Sequence, residues 1–267
     1  MKTSFSVSPF RWIKCRFHQE VTAFREDLPK LVGNQEEPDG LPEAVLRHVK
    51  ACGLVGRPRI EAFEVVWKDS FIRMKPDAPW MKLQTRQFDG SRPPFRIAYM
   101  RAKLMGFIPF EGRDLLHPDG ASMWGRMGGL KNVFDVKGPE LMQSALLTWL
   151  AEVLLMPAVL SDPMLSWKSL DNSSVEVTLS YQGIEAKGRF FFSTEGFAVG
   201  FSTGDRYYLK PDGSVEKIPW KVYFTDYLPG AYGFLFPSSV RASWLMKEGE
   251  YEYWKGSIAS IKPLILS

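Results

Sequence analysis

The hydrophobic positions change their period along this chain. From Arg59 onward, short runs alternate apolar and polar residues, which predicts strands. Ser174 to Tyr181 is the cleanest run: Val175, Val177, Leu179 and Tyr181 face one way, and Glu176, Thr178 and Ser180 the other. The same reading predicts one or two strands over Ile60 to Met74, then Met81 to Phe88, Phe95 to Met105, Phe107 to Leu116, Ala121 to Met127 and Val133 to Val136. Further strands are expected at Ser166 to Leu170, Ala186 to Phe192, Phe197 to Ser202, Val215 to Phe224, Ser239 to Leu245 and Tyr251 to Ile261. Turn sequences separate them, at His117 to Gly120, Gln182-Gly183, Glu195-Gly196, Asp212-Gly213 and Glu248-Gly249. Short strands joined by tight turns predict an antiparallel meander.

One segment breaks this pattern. Gly138 to Leu160 reads GPELMQSALLTWLAEVLLMPAVL, apolar around most of a helical circumference. Pro139 suits a first helical turn and Pro157 closes the run, which predicts a helix over 139–156, the longest of the chain. Glu140, Ser144, Thr148 and Glu152 recur every fourth residue and form one polar stripe. A helix apolar nearly all round is enclosed by its own protein. With strands on both sides in sequence, a sheet wrapped around that helix is expected.

Residues 1–58 read as a helical arm. A short helix is expected at Gln19 to Leu31 and a second at Pro42 to Cys52, ended by Gly53. The polar linker Asn34 to Gly40 lies between them. The predicted organisation is an arm at 1–58 followed by a β half-barrel at 59–267.

Composition narrows the function classes. The chain of 267 residues is 45% apolar, 24% charged and 14% aromatic, with nine Trp and nineteen Phe. Aromatic residues favour strands and line apolar pockets. The net charge of +4 is mild. Residues 71–137 carry twelve Lys/Arg against six Asp/Glu, without the dense basic stripe of a nucleic-acid binder. No nucleic-acid partner is therefore expected. The two cysteines, Cys15 and Cys52, have no metal-type spacing, and neither a metal nor a cofactor is expected. Arg11, Lys14 and Arg16 interrupt the apolar start, which argues against a signal peptide. The apolar window Ala145 to Leu160 is too short to span a bilayer, so no integral membrane segment and a cytoplasmic location are expected.

A string of short motifs resembles a family of uncharacterised bacterial proteins, DUF6544 (earlier DUF6920). It starts with Leu41-Pro42 and Val45 to His48, then Trp80 with Gln84 and Gln87, and the turns Gly125-Arg126-Met127 and Gly129-Leu130. Gly138 to Leu141, Trp149 to Glu152 and Pro157-Ala158 resemble its central helix. Trp167 with Asp171, Arg206-Tyr207 with Pro219-Trp220, Trp244, and Tyr253 to Gly256 complete the match, from about Leu41 to Ile261. The resemblance brings no chemistry. The fold it implies is similar to the open half-barrels of lipoprotein-carrier (LolA-like) proteins, a curved antiparallel sheet over helices and an apolar cavity. This chain departs from the family pattern at Lys82, Thr85 and Arg86, where aliphatic residues are frequent, so a pocket wall there would be more polar.

The residues suggest few sites. Glu152 lies among Leu150, Val153 and Leu154, so it must be protonated, paired or facing water. It would either orient a ligand or act as an acid/base, or pair with a cation such as Arg206 or Arg101. Arg206 could clamp an anion or cap a strand edge. Trp80, Trp167, Trp220 and Tyr223 could line a cavity or fill a core, with Gln84 and Thr148 as polar partners. His18, His48 and His117 have no catalytic spacing. Ser214 to Lys217 matches S-x-x-K, but at a hairpin rather than opening a helix. The expected fold is mainly β (α+β), an open half-barrel around the apolar helix. The leading function is a binding module for an apolar or amphipathic, lipid-like small molecule. The alternative is an enzyme on such a molecule, with Glu152 as acid/base and Arg206 as anion anchor. A scaffold whose helix fills the barrel is the third reading.

Overall fold

The computed structural model describes residues 12–28, 33–129, 131–210 and 213–264. The first eleven residues of the arm, the end of the predicted helix at Gln19 to Leu31, Leu130 and Asp212 lie outside them. Helices α1 (Trp12–Asp27) and α2 (Glu43–Ala51) come first. Six strands follow: β1 (Ala62–Ile72), β2 (Met81–Gly90), β3 (Phe95–Leu104), β4 (Ile108–His117), β5 (Gly120–Met127) and β6 (Lys131–Lys137). Helix α3 (Pro139–Glu152) leads into β7 (Leu165–Ser169), β8 (Ser174–Tyr181), β9 (Ile184–Phe192), β10 (Ala198–Thr203), β11 (Tyr207–Leu209) and β12 (Val215–Lys217). The chain ends in β13 (Trp220–Pro229), β14 (Leu235–Met246) and β15 (Gly249–Leu264).

Thirteen of these strands form one antiparallel sheet in the order β6-β5-β4-β3-β2-β1-β15-β14-β13-β10-β9-β8-β7. The last strand inserts beside the first, so β1 and β15 join two meanders into one surface. The outer strands β6 and β7 do not pair, and the sheet stays open. Helix α3 touches β3 to β6 on one arm and β9 on the other. Both arms therefore curve over a single helix. Bulges assist the bend: register slips occur in β1 at Val66 to Asp69 and in β14 at Ala242/Ser243.

The apolar periodicity explains this arrangement. In β8, Val175, Val177 and Leu179 are fully buried while Ser180 is exposed. In α3, Leu146, Leu147, Trp149 and Leu150 are fully buried. Each such side chain contributes about 1.5–3 kcal/mol of burial, so α3 anchors the main core. Trp149 Nε1 donates to the Gly90 carbonyl at 2.8 Å, tying the helix to the end of β2.

The convex face carries a second core. Ile13, Phe17, Val21 and Phe24 of α1 pack on Phe88, Phe95, Ile97 and Tyr99. The Phe24 and Phe95 rings stack at 4.0 Å. A Cβ at position 90 would lie 2.3 Å from the Phe24 ring, which is why this strand ends in glycine. Helix α2 instead joins the main core through Val45 and Val49.

Four expectations change in detail. The first helix spans Trp12–Asp27 and, at 16 residues, exceeds the 14 of α3, so the central helix is not the longest. The central helix ends at Glu152 and continues only as 3-10 turns at Val153–Leu155 and Pro157–Val159, because Pro157 offers no amide hydrogen to an α-helical turn. The run Val215 to Phe224 is two strands, parted at Ile218-Pro219. Its first part pairs with β11 as a separate hairpin, and β11 touches α3.

Candidate functional site

Inside the curve, the polar stripe of α3 meets side chains from both arms of the sheet. In β2 the odd-numbered Leu83, Thr85, Gln87 and Asp89 are buried while Lys82, Gln84 and Arg86 are exposed. Asp89 pairs across the ladder with Arg96 of β3. The Arg96 guanidinium reaches Glu152 of α3 with two nitrogens, Nε to Oε2 at 3.0 Å and Nη2 to Oε1 at 3.3 Å. It lies 3.7 Å from Asp89 Oδ1. Gln87 Nε2 donates both to Glu152 Oε2 at 3.0 Å and to Asp89 Oδ2 at 2.8 Å.

Two carboxyl groups thus share one guanidinium and one amide. Burial, reinforced by the neighbouring Glu152, raises the Asp89 carboxyl well above the usual carboxylate range despite the pull of Arg96. Burial works against the Arg96 charge, but Glu152 and Asp89 outweigh it and raise its pKa. Asp114 of β4 is likewise raised by burial, with Arg96 and Arg206 opposing. The arrangement favours the protonated form of Asp89 beside a gripped Glu152.

One turn earlier on α3 the partner is Arg206, from the connection between β10 and β11. Its Nη1 donates to the Ser144 carbonyl at 3.2 Å and to the Thr148 hydroxyl. The Tyr207 amide donates to Ser144 Oγ at 3.1 Å. The guanidinium lies 4.2 Å from the Trp220 ring centre and 5.6 Å from that of Trp244, a cation over two aromatic faces. Burial lowers its pKa. Trp220 Nε1 donates to Tyr253 Oη at 3.2 Å, and Trp244 stacks on Tyr253 and meets Tyr208 edge-on. Arg206 Nε, Asp89 Oδ1 and Asp114 Oδ1 have no hydrogen-bond partner among the described residues.

The residues singled out in the sequence therefore separate. Thr148, Arg206 and Trp220 come together, with Glu152 one helical turn away. Trp80 lies in the connection before β2, between Arg73 at 4.8 Å and Lys255 at 4.3 Å. Trp167 belongs to the core at the far edge, donating to the Leu160 carbonyl and stacked on Phe190. Tyr223 alternates with Trp220 along β13; its hydroxyl meets Glu250 at 3.0 Å. Gln84 is exposed on the face of β2 opposite Gln87. The partner of Glu152 is Arg96 rather than Arg206 or Arg101. Arg101 is exposed on β3, and Arg206 is taken up by Thr148 and Ser144. The sequence reading missed Asp89, Arg96 and Asp114. Asp89-Gly90 resembles a turn, whereas β2 runs through both; the buried alternation Leu83, Thr85, Gln87, Asp89 was the available signal.

His48 and Cys52 also meet, with Sγ 3.6 Å from Nε2. His48 Nδ1 accepts from the Ala198 amide at 3.1 Å. Burial lowers the His48 pKa to about 4 and pushes the Cys52 thiol up to about 12. The pair stays neutral and uncharged near neutral pH, so it fastens α2 to the start of β10 and supplies no thiolate. Among the described residues no group of three or more His, Cys, Asp or Glu could hold a metal. No helix among them is long and apolar enough to cross a membrane.

A pocket of about 160 Å³ lies between α1 and the β4–β6 arm, lined by Arg16, Arg113, Trp124, Asp135 and Lys137. It is small beside the roughly 300–1,000 Å³ of typical ligand sites. Its walls are largely charged.

Among solved structures, a domain from Vibrio parahaemolyticus named for outer membrane lipoprotein sorting is similar at 8% identity and TM-score 0.40, over 76% of this chain and 85% of that one. A DUF1329 family protein from Desulfovibrio piger ATCC 29098 is similar at 5% identity and TM-score 0.39, over 86% and 94%. No curated protein matches the sequence. The profile of one family, DUF6544, matches residues 32–256, which takes in both arms of the sheet, α3 and Arg206. The chain belongs to DUF6544, a family of unknown function.

Proposed function

We propose that the protein binds an amphipathic small molecule whose anionic head rests on Arg206 and whose apolar part lies against Trp220, Trp244, Tyr208 and Tyr253. The observation that carries this reading is the guanidinium itself. Its Nη1 is fixed by Thr148 and Ser144, it lies over two neighbouring indoles, and its Nε has no hydrogen-bond partner among the described residues. A fixed guanidinium in apolar walls is the arrangement that recognises carboxylate or phosphate heads. Tyr208, Tyr253, Ile218 and Met246 are only partly buried around it, so apolar surface remains on this side of the core.

A second reading has its own support. The fully buried face of α3 fills the curve of the sheet where a carrier would keep its cargo. On that reading Arg206 and Arg96 are two latches that dock the helix, and no ligand is involved.

Native mass spectrometry of freshly purified protein separates the two. The binding reading expects a retained adduct, or an adduct formed on adding a long-chain fatty acid, that is lost in Arg206→Gln. Apo mass alone under both conditions would leave the latch reading.

A further inference from the structure

Away from this site, one end of the sheet carries apolar side chains that nothing in the fold explains. The β3–β4 hairpin turns at Met105-Gly106, closed by the Phe107 amide on the Leu104 carbonyl at 3.2 Å. Met105 and Gly106 have φ of 50° and 82°. Leu104 pairs with Ile108, so the connection is three residues long; two successive positive φ values in such a tight turn favour Asn, Asp or Gly at the first position, and a methionine there is strained. Yet Met105 is 82% exposed and Phe107 72%. The sequence therefore accepts both a backbone strain and an unfavourable exposure at the same tip. Neither residue contributes to either core.

The surroundings of this tip are cationic. Exposed Arg101 and Lys103 precede it on β3. Across the ladder Phe110 faces Met127, and Met127 faces Lys131, so Lys131 stands two strands away, roughly 10 Å at the usual strand spacing. Between Met100 and Phe110, and between Arg126 and Phe134, there is no Asp or Glu. Arg101, Lys103 and Lys131 have no carboxylate within ion-pair distance among the described residues. The neighbouring loop extends the row. Gln84 pairs with Arg101, which sets the start of β2 level with the end of β3. Met74, 69% exposed in the β1–β2 connection, and Lys75 therefore lie at the same end of the sheet.

We infer that this end docks on the surface of an anionic lipid bilayer, with Met105 and Phe107 entering the boundary between headgroups and acyl chains. Isolated apolar side chains on a narrow tip suit a fluid interface; a protein partner would be met by a broader flat patch. Unpaired Arg101, Lys103 and Lys131 suit anionic headgroups, each cation near such a surface strengthening attraction roughly fivefold. The same physics governs interfacial amphipathic segments: buried apolar area plus charge. This inference does not rest on the Arg206 site, and each can fail alone.

The test is cosedimentation of the full chain with vesicles of phosphatidylcholine alone or containing phosphatidylserine. The wild type should bind the anionic vesicles, and bind the neutral ones at least about fivefold more weakly, the effect of losing one headgroup contact. Met105→Asn removes the apolar tip while supplying a residue the turn prefers, so the fold is kept or stabilised and vesicle binding falls. Lys103→Glu with Lys131→Glu should abolish the preference for phosphatidylserine. Light scattering of the free protein reads the competing occupant, a second copy of the chain. Equal binding to both vesicle types, no binding to either, or a dimer that Met105→Asn dissolves would each overturn the inference.

Discussion

Arg96 of β3 holds Glu152 of α3 with two of its nitrogens, at 3.0 and 3.3 Å, and so fastens the central helix to the arm of the sheet above it. The contact spans 56 positions of sequence. It satisfies a carboxylate that the helix would otherwise carry into an apolar core. Because both partners are largely buried, the pair is worth little as net stability but costly to break.

Removing one partner should therefore be severe. Glu152→Ala is expected to lower stability by about 3 kcal/mol or more, since Arg96 stays buried without the carboxylate that holds two of its nitrogens. Chemical denaturation of the variant checks this. The double variant Glu152→Leu with Arg96→Met should recover much of the loss. A single variant within about 1 kcal/mol of wild type would remove the latch from the account.

Asp89→Asn should behave in the opposite way. The raised pKa means that folded Asp89 keeps a proton that the unfolded chain gives up. Its contribution is thus full below the unfolded value, near 3.9, and is lost as pH rises through the folded value. Asparagine mimics the protonated acid at every pH, accepting from Gln87 and donating to Glu152. The variant should match or exceed wild-type stability at neutral pH, with the smallest advantage in acid. Melting curves across pH would show it; a large loss at neutral pH would mean that the charged form is the one the fold needs.

His48 sets a slope of the other sign. Its folded pKa, about 4, lies below the ordinary imidazole value of 6.5. The unfolded chain binds the extra proton between those values, so stability is complete above about 6.5 and falls as pH drops toward 4. The full effect is about 3 kcal/mol at 1.36 kcal/mol per unit. His48→Gln, whose amide oxygen can still accept from Ala198, should flatten this dependence. An unchanged acid profile in the variant would assign the acid sensitivity elsewhere.

Much of this fold was legible in the chain because its signals are local. The strict alternation from Ser174 to Tyr181 and the all-round apolarity of α3 each specify an element by themselves, and the polar stripe already marked Ser144, Thr148 and Glu152 as one line. The partners of that stripe were not legible. Which guanidinium meets Glu152 depends on the β2–β3 register and on how far the sheet curves, and neither is written in any window of sequence. Gln84 and Gln87 show the limit most clearly. The pair is three residues apart, so one faces out and the other in, and only the buried ladder tells which. Trp80 and Tyr223 had the right chemistry and sit elsewhere for the same reason.

Packing around α3 gives a direct stability test. Leu150 is fully buried on the face opposite the latches. Leu150→Ala should cost about 2–5 kcal/mol and leave binding at Arg206 intact in whatever fraction remains folded. A cost below about 1 kcal/mol would mean that the helix is not the anchor of the main core.

The central claim is that Arg206, set under Trp220 and Trp244, receives the head of an amphipathic molecule. Isothermal titration with a long-chain fatty acid, on wild type and on Arg206→Gln matched for melting temperature, tests it most directly. The account predicts saturable binding by the wild type and affinity lower by about tenfold or more in the variant, the loss of one charge-assisted hydrogen bond. Absence of binding by the wild type, or equal affinity in the two proteins, would contradict it.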